Sequence, residues 1–173
     1  MAKIAVIYKS NYGSTKQYAE WIAEALEASL FEASSIKPAQ LMDYDVVIYG
    51  GGLYAGGING AKLVAKSPCK TLILFTVGYA DPKNTNYSAA SLKPFTPEQL
   101  ANLKMFHFRG AMDYEKLGLI HKGMMAAVRK VIQKKPIEKR EGWESAIIES
   151  YGSKINLIDK STIEPLVEYV RTL

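Results

Sequence analysis

The chain has 173 residues, 48% of them hydrophobic and 23% charged, with a net charge of +5; this composition fits one globular domain with a full-sized core and excludes a mainly disordered chain. No apolar run approaches the ~18 residues of a membrane span, and the run after Met1-Ala2-Lys3 is too short for a secretory leader, so a cytoplasmic location is expected. Cys69 is the only cysteine, and His107 and His121 are the only histidines; intrachain disulfide, CxxC and zinc-ligand patterns are therefore excluded, and any redox chemistry needs a bound organic cofactor.

Ile4–Lys9 reads as a buried strand, followed by the polar loop Ser10–Thr15. From Lys16 the period becomes helical, with Tyr18, Ile22, Ala25, Leu26 and Ser29 on one face. Leu30–Ile36 predicts a second strand, stopped by Lys37-Pro38, and Asp45–Tyr49 a third, ending in Gly50-Gly51-Gly52. A short helix is expected within Asn59 to Lys66, and Thr71–Val77 is a fourth buried strand. Thr96 as N-cap and Pro97 at the first helical position open a helix to about Leu103, and Met105–Phe108 is a fifth strand. Leu117, Ile120, Met124, Ala127 or Val128, and Val131 form a helical stripe with a basic opposite face, ended by Pro136. Residues 137–154 read as irregular, Ile155–Ile158 resumes a strand pattern, and Ser161 with Glu164 signs a capping box before a last helix.

Strands alternating with helices predict an α/β fold with a parallel, doubly wound sheet of five strands. Such sheets bind ligands beyond the carboxyl ends of their strands, at the topological switch point. That rule selects the loops after Lys9, Tyr49 and Val77.

The first of these places Ser10, Asn11, Tyr12, Gly13, Ser14 and Thr15 between a strand and a helix. Unpaired N–H groups and the positive end of the helix dipole favour an anion there, and Ser10, Ser14 and Thr15 add hydroxyls. There is no GK[ST] triplet and no GxGxxG, so neither a nucleotide P-loop nor a dinucleotide fingerprint is present. A loop of amides and hydroxyls alone suits a terminal monophosphate.

Ser-x-x-Gly-Ser-Thr after an Ile-Ala-Val-Ile-Tyr strand resembles the FMN phosphate loop of flavodoxins, whose usual pattern is Thr/Ser-x-Thr-Gly-x-Thr. The resemblance implies that residues 10–15 hold the FMN phosphate and that two further loops clasp the flavin ring. These are Gly52, Leu53, Tyr54, Ala55, Gly56 and Gly57 after the third strand, and Thr76, Val77, Gly78, Tyr79, Ala80 and Asp81 after the fourth. Tyr54 and Tyr79 would stack on the ring. The likeness covers the chain as one domain, 1–173, apart from an insertion at about 110–154.

That insertion resembles the split fifth strand of long-chain flavodoxins, with Met105–Phe108 and Ile155–Ile158 as the two halves. Phe108-Arg109-Gly110-Ala111-Met112-Asp113-Tyr114, followed by the basic helix, is also distantly similar to the entry to the insertion of a flavodoxin-fold bacterial protoporphyrinogen oxidase. Residues 116–140 hold Lys116, Lys122, Arg129, Lys130, Lys134, Lys135, Lys139 and Arg140 against Glu138 alone, a charge of +7. This segment has three readings: a solvated helix with its stripe packed on the domain, a dock for an acidic redox partner, or a contact with an anionic membrane near a quinone. Few aromatics and no recognisable module argue against nucleic acid.

Three functions stay open at this point. One is an FMN-dependent electron carrier, serving a redox partner protein. The second is an oxidoreductase of the oxidase type just named, acting on a small organic substrate and passing electrons to a quinone, with Arg109, Lys116 or Lys122 pairing substrate carboxylates. The third is a non-redox interaction domain. A receiver domain is disfavoured, because Lys9-Ser10 and Gly50 stand where acidic residues would be needed.

Overall fold

Ile4–Lys9 (β1) is apolar on both faces: Val6 points to one core cluster and Ala5 and Ile7 to the other, all fully buried. Only a strand covered on both sides can use such a run. The computed structural model describes residues 1–54, 57–85, 87 and 89–173. In chain order the next elements are α1 (Ser14–Leu26), β2 (Ser29–Glu32), β3 (Val46–Tyr54), β4 (Gly57–Ile58), α2 (Lys62–Ala65) and β5 (Thr71–Gly78). They are followed by α3 (Ala89–Leu92), α4 (Pro97–Asn102), β6 (Lys104–Arg109), β7 (Ala111–Asp113), α5 (Leu119–Gln133), α6 (Gly142–Ser150), β8 (Lys154–Asn156) and α7 (Glu164–Arg171).

Five strands run parallel in the order β2-β1-β3-β5-β6, with β4 folded back antiparallel on β3. This is the flavodoxin-like order, and its switch point lies between β1 and β3. One face carries α1 and α7: Tyr18, Ile22, Leu166 and Val170 pack on Val6, Ile48, Ile73 and Phe75. The other face is covered by shorter pieces, with Leu41, Val64 and Phe95 packed on Ala5, Ile7, Val47, Tyr49 and Leu74.

Several boundaries differ from the sequence reading. The second strand stops at Glu32, whose carboxylate caps the 3₁₀ turn Ala33–Ser35, and Ser29 belongs to that strand rather than to the α1 face. β3 does not end at the glycine run; it passes through it. A Cβ on Gly50 would stand 2.0 Å from Phe75 Cζ, and one on Gly51 would stand 2.5 Å from the Asn59 carbonyl oxygen. The glycines therefore mark close approach inside a strand, not a loop.

The insertion also differs. Residues 154–156 pair antiparallel with Ala111–Asp113 in a separate two-stranded sheet, and do not extend the parallel sheet as a second half of its fifth strand. The parallel register ends where the Gly110 N–H donates to the Gly78 carbonyl (2.9 Å), and the returning Leu157 N–H donates to the Gly110 carbonyl (3.1 Å). Residues 142–150, expected to be irregular, form α6, opened by reciprocal capping between Glu141 and Glu144 and held by Lys135 on Glu144. Of the expected stripe, Leu117 is buried but precedes α5, and the part that lies on the helix does not pack on the domain. Ile120, Met124 and Val131 are exposed, while Ile132, one residue further round, is buried.

Candidate functional site

The carboxyl ends of β1, β3 and β5 bring the three expected loops together. At the first, Gly13 is left-handed (φ 100°), which a side chain would strain. Its N–H donates to Ser10 Oγ (2.9 Å) and its carbonyl accepts from Gln17 N–H (3.0 Å). Among the described residues no side chain caps the N-terminus of α1, and its first turn holds no acid. By contrast, α4 is closed by Thr96 and Gln99 in a capping box. The first-turn amides of α1 thus keep the anion-binding character of an uncapped helix start.

The side chains of this loop are divided in their commitments. Asn11 Nδ2 donates to the Tyr54 hydroxyl (3.4 Å), and Asn11 Oδ1 accepts from Asn59 Nδ2 (3.3 Å), tying the first loop to the second. Ser14 Oγ is taken by the backbone of Ala111, accepting its N–H (3.1 Å) and donating to its carbonyl (3.4 Å). Thr15 is buried. Of the expected hydroxyls, that of Ser10 supports the turn itself.

Tyr54 closes β3, paired with Gly57 across the β3–β4 hairpin, and Leu53 pairs with Ile58. Ala55 and Gly56, expected against the cofactor ring, lie outside the described residues. Gly52 is buried beneath the Tyr54 ring, where a Cβ would stand 2.9 Å from it. Tyr79 follows β5. Burial raises the pKa of both phenols; Asn11 partly offsets this at Tyr54, and the nearby Tyr54 adds to it at Tyr79. Both remain neutral rings near physiological pH, suited to stacking. Asp81 spends its carboxylate on the Lys83 N–H (2.8 Å), and Ala80, between Tyr79 and Asp81, stands beside His107.

Thr76 and Val77 are core residues rather than an accessible rim. Thr76 Oγ1 bonds His107 Nδ1 (2.8 Å) and the Tyr87 hydroxyl (3.0 Å). His107 is 7% exposed, and its Nε2 has no hydrogen-bond partner among the described residues. Burial, with a smaller contribution from Arg109, brings its pKa down to about 4. It lies directly under the third loop, since a Cβ on Gly78 would be 3.1 Å from His107 Cε1.

His121 is the residue that sequence reasoning missed. From the first turn of α5 its ring stacks on Tyr54 (centroids 5.9 Å apart, 8° between planes) and meets Tyr12 edge-on (5.2 Å, 69°), with Nδ1 bonded to the Tyr12 hydroxyl. The same hydroxyl accepts the Gly118 N–H (3.4 Å). The signal was the second helical stripe, His121, Met125, Val128 and Ile132, one residue out of step with the first.

The three cations offered as alternative substrate contacts have different partners. Arg109 reaches the third loop, donating to the Tyr79 carbonyl (3.4 Å). Lys116 pairs with Asp113 (3.8 Å), and Lys122 lies over the Tyr114 ring (5.7 Å).

A family model described as a flavodoxin domain matches residues 5–139. The chain belongs to the flavodoxin domain family. Solved structures of this type also resemble it. A flavodoxin-like, WrbA-like protein from Agrobacterium tumefaciens is 26% identical, with a TM-score of 0.38 over 48% of this chain and 64% of that one. Flavodoxin 2 from Bacillus cereus is 18% identical (TM-score 0.47, 62% and 84%). A flavoprotein from Lactobacillus acidophilus NCFM, solved in complex with FMN, is 16% identical (TM-score 0.41, 63% and 93%). The chain spans just under two thirds, 64%, of the Agrobacterium protein and of an archaeal flavodoxin. No curated protein matches it.

Among the described residues no helix is long and apolar enough to cross a membrane, and no group of His, Cys, Asp and Glu is placed to hold a metal.

Proposed function

We propose that this flavodoxin domain binds FMN and acts in electron transfer. The observation that carries the reading is the uncapped, acid-free start of α1 behind the left-handed Gly13, at the switch point and beside Tyr54 and Tyr79. A phosphate-bearing planar cofactor fits this arrangement: the amides after Gly13 would take the phosphate, Tyr79 would stand against the ring system, and Tyr54 would reach it by giving up its stack on His121. When bound, FMN supplies a centre that accepts and releases electrons; the protein binds and orients it and sets the polarity around it.

The residues divide that work. Gly13 shapes the turn, and Ser10 fixes it by holding the Gly13 N–H. Asn11 joins the phosphate loop to Tyr54 and Asn59, tying the first two loops together. His107, kept neutral by burial, packs beneath the third loop without placing a charge there. Arg109, reaching the Tyr79 carbonyl, puts a cation at the same loop. An oxidoreductase acting on a carboxylated substrate would have Arg109 for the carboxylate, with Lys116 and Lys122 turned to Asp113 and Tyr114; the carrier reading needs no substrate cation and is the one adopted.

The test is titration of the purified chain with FMN and with riboflavin, followed by the visible spectrum. FMN should bind at micromolar concentration, riboflavin far more weakly, and Gly13→Val should abolish the preference. Equal binding of both would remove the phosphate site, and absence of binding would remove the cofactor altogether.

A further inference from the structure

We propose that the outer face of α5 is a docking surface for an anionic lipid bilayer, on which the protein lies without crossing it. The inference does not depend on the cofactor.

Ile120, Met124, Ala127 and Val131 follow one another at i, i+4, i+7 and i+11, the spacing of a single ridge along the helix. Ile120 is 81% and Val131 62% accessible, Met124 is exposed, and Leu119 beside them is 88% accessible. The helix is not loose. Its inner side is anchored by buried Ile132, by His121 between Tyr12 and Tyr54, and by Arg129 over the Tyr151 ring at 4.3 Å. The ridge therefore faces outward because the inner stripe is already seated.

Charge selects the occupant. Lys130 and Lys134 flank the ridge, and Lys139 stands just past its end. None has an ion-pair partner among the described residues. Residues 116–140 carry +7 in total. Two copies of this face would bring like charges together, which opposes self-association. A purely acidic protein partner would satisfy the lysines and leave the ridge in water. An interface with acyl chains and anionic headgroups satisfies both: the ridge enters the boundary region, and the lysines extend to the headgroups. With no helix among the described residues able to span, the contact is peripheral.

The experiment is co-sedimentation of the full chain with vesicles of phosphatidylcholine alone, or mixed with phosphatidylglycerol, at low and high salt. Binding is expected to the mixed vesicles only. Lys130→Glu with Lys134→Glu should weaken it by roughly ten-fold or more, since each lysine near an anionic surface is worth about five-fold. Ile120→Ser with Val131→Ser keeps the charge and should also weaken binding by at least roughly ten-fold. Because these side chains are exposed, unchanged circular dichroism and an unchanged melting temperature verify the fold of each variant. No sedimentation with anionic vesicles overturns the proposal. Binding that salt abolishes and the Ile120→Ser, Val131→Ser variant leaves intact also overturns it, in favour of an acidic soluble partner. Self-association of the wild type that this variant abolishes would assign the ridge to a second copy instead.

Discussion

The hydroxyl of Tyr18 joins the two ends of the insertion. It donates to the Arg109 carbonyl (2.7 Å) and accepts the Asp159 N–H (3.1 Å). Tyr18→Phe removes that oxygen and leaves the ring in place, stacked on Phe108 (4.8 Å) and edge-on to Trp21 (5.6 Å). Each lost bond is worth about 1 kcal/mol, rising to about 1–3 kcal/mol where a backbone group is left without a partner. Two such groups give about 3 kcal/mol of destabilisation. For a domain of this length that corresponds to a fall in Tm of roughly 6–12 °C. Urea unfolding followed by circular dichroism should show a lower midpoint with an unchanged slope. Amide hydrogen exchange should show the Asp159 N–H losing more protection than the β1 amides do. An unchanged midpoint together with an unchanged Asp159 exchange rate would refute the clamp.

Gly50→Ala puts a methyl 2.0 Å from the buried Phe75 ring and should cost about 1–3 kcal/mol or more, partly recovered by adding Phe75→Leu; a Gly50→Ala variant as stable as wild type in urea would contradict the packing. His107 is held near pKa 4 in the fold against an ordinary 6.5. Between those values the unfolded chain takes up a proton that the folded chain refuses, so stability falls as pH drops through that window, by up to about 3 kcal/mol. His107→Gln should flatten the difference between urea midpoints at neutral pH and at pH ~4.5; an identical pH dependence in the variant would exclude His107 as its source. Tyr79→Ala should weaken FMN binding by roughly ten-fold through lost stacking, measured by the same titration; unaltered affinity would remove Tyr79 from the cofactor contacts.

The parallel sheet was legible because its strands carry unbroken apolar runs, Ala-Val-Ile in β1 and Val-Val-Ile-Tyr in β3, that no half-exposed strand could use. The glycine run after Tyr49 misled, since glycine marks both turns and close approach, and only the Phe75 ring distinguishes them. The orientation of α5 was not legible at all. Two stripes of similar apolarity, Ile120-Met124-Ala127-Val131 and His121-Met125-Val128-Ile132, lie one residue apart, and periodicity is blind to which one meets the domain. The aromatic contacts of His121 with Tyr12 and Tyr54 decide it, and these are tertiary. α6 escaped notice for a related reason, as its start depends on Glu141 and Glu144 capping each other and on Lys135 reaching Glu144 from the preceding helix. At the candidate site, the loop order was readable from strand order alone. The diversion of Ser14 to Ala111 was not, because it arises where the insertion folds back.

That return point makes the insertion a cassette. Its two ends meet at the Gly110–Leu157 hydrogen bond, and the β7–β8 ladder rises from there. Whatever lies beyond can lengthen, shorten or change its surface chemistry without re-laying the strands below, because each doubling of a flexible loop adds only about 0.6 kcal/mol of closure cost. A short turn joining Gly110 to Leu157 would yield a minimal five-stranded core. The same two anchor points would accept a foreign helical pair, so evolution or a designer can change the surface the insertion presents while leaving the sheet as it is.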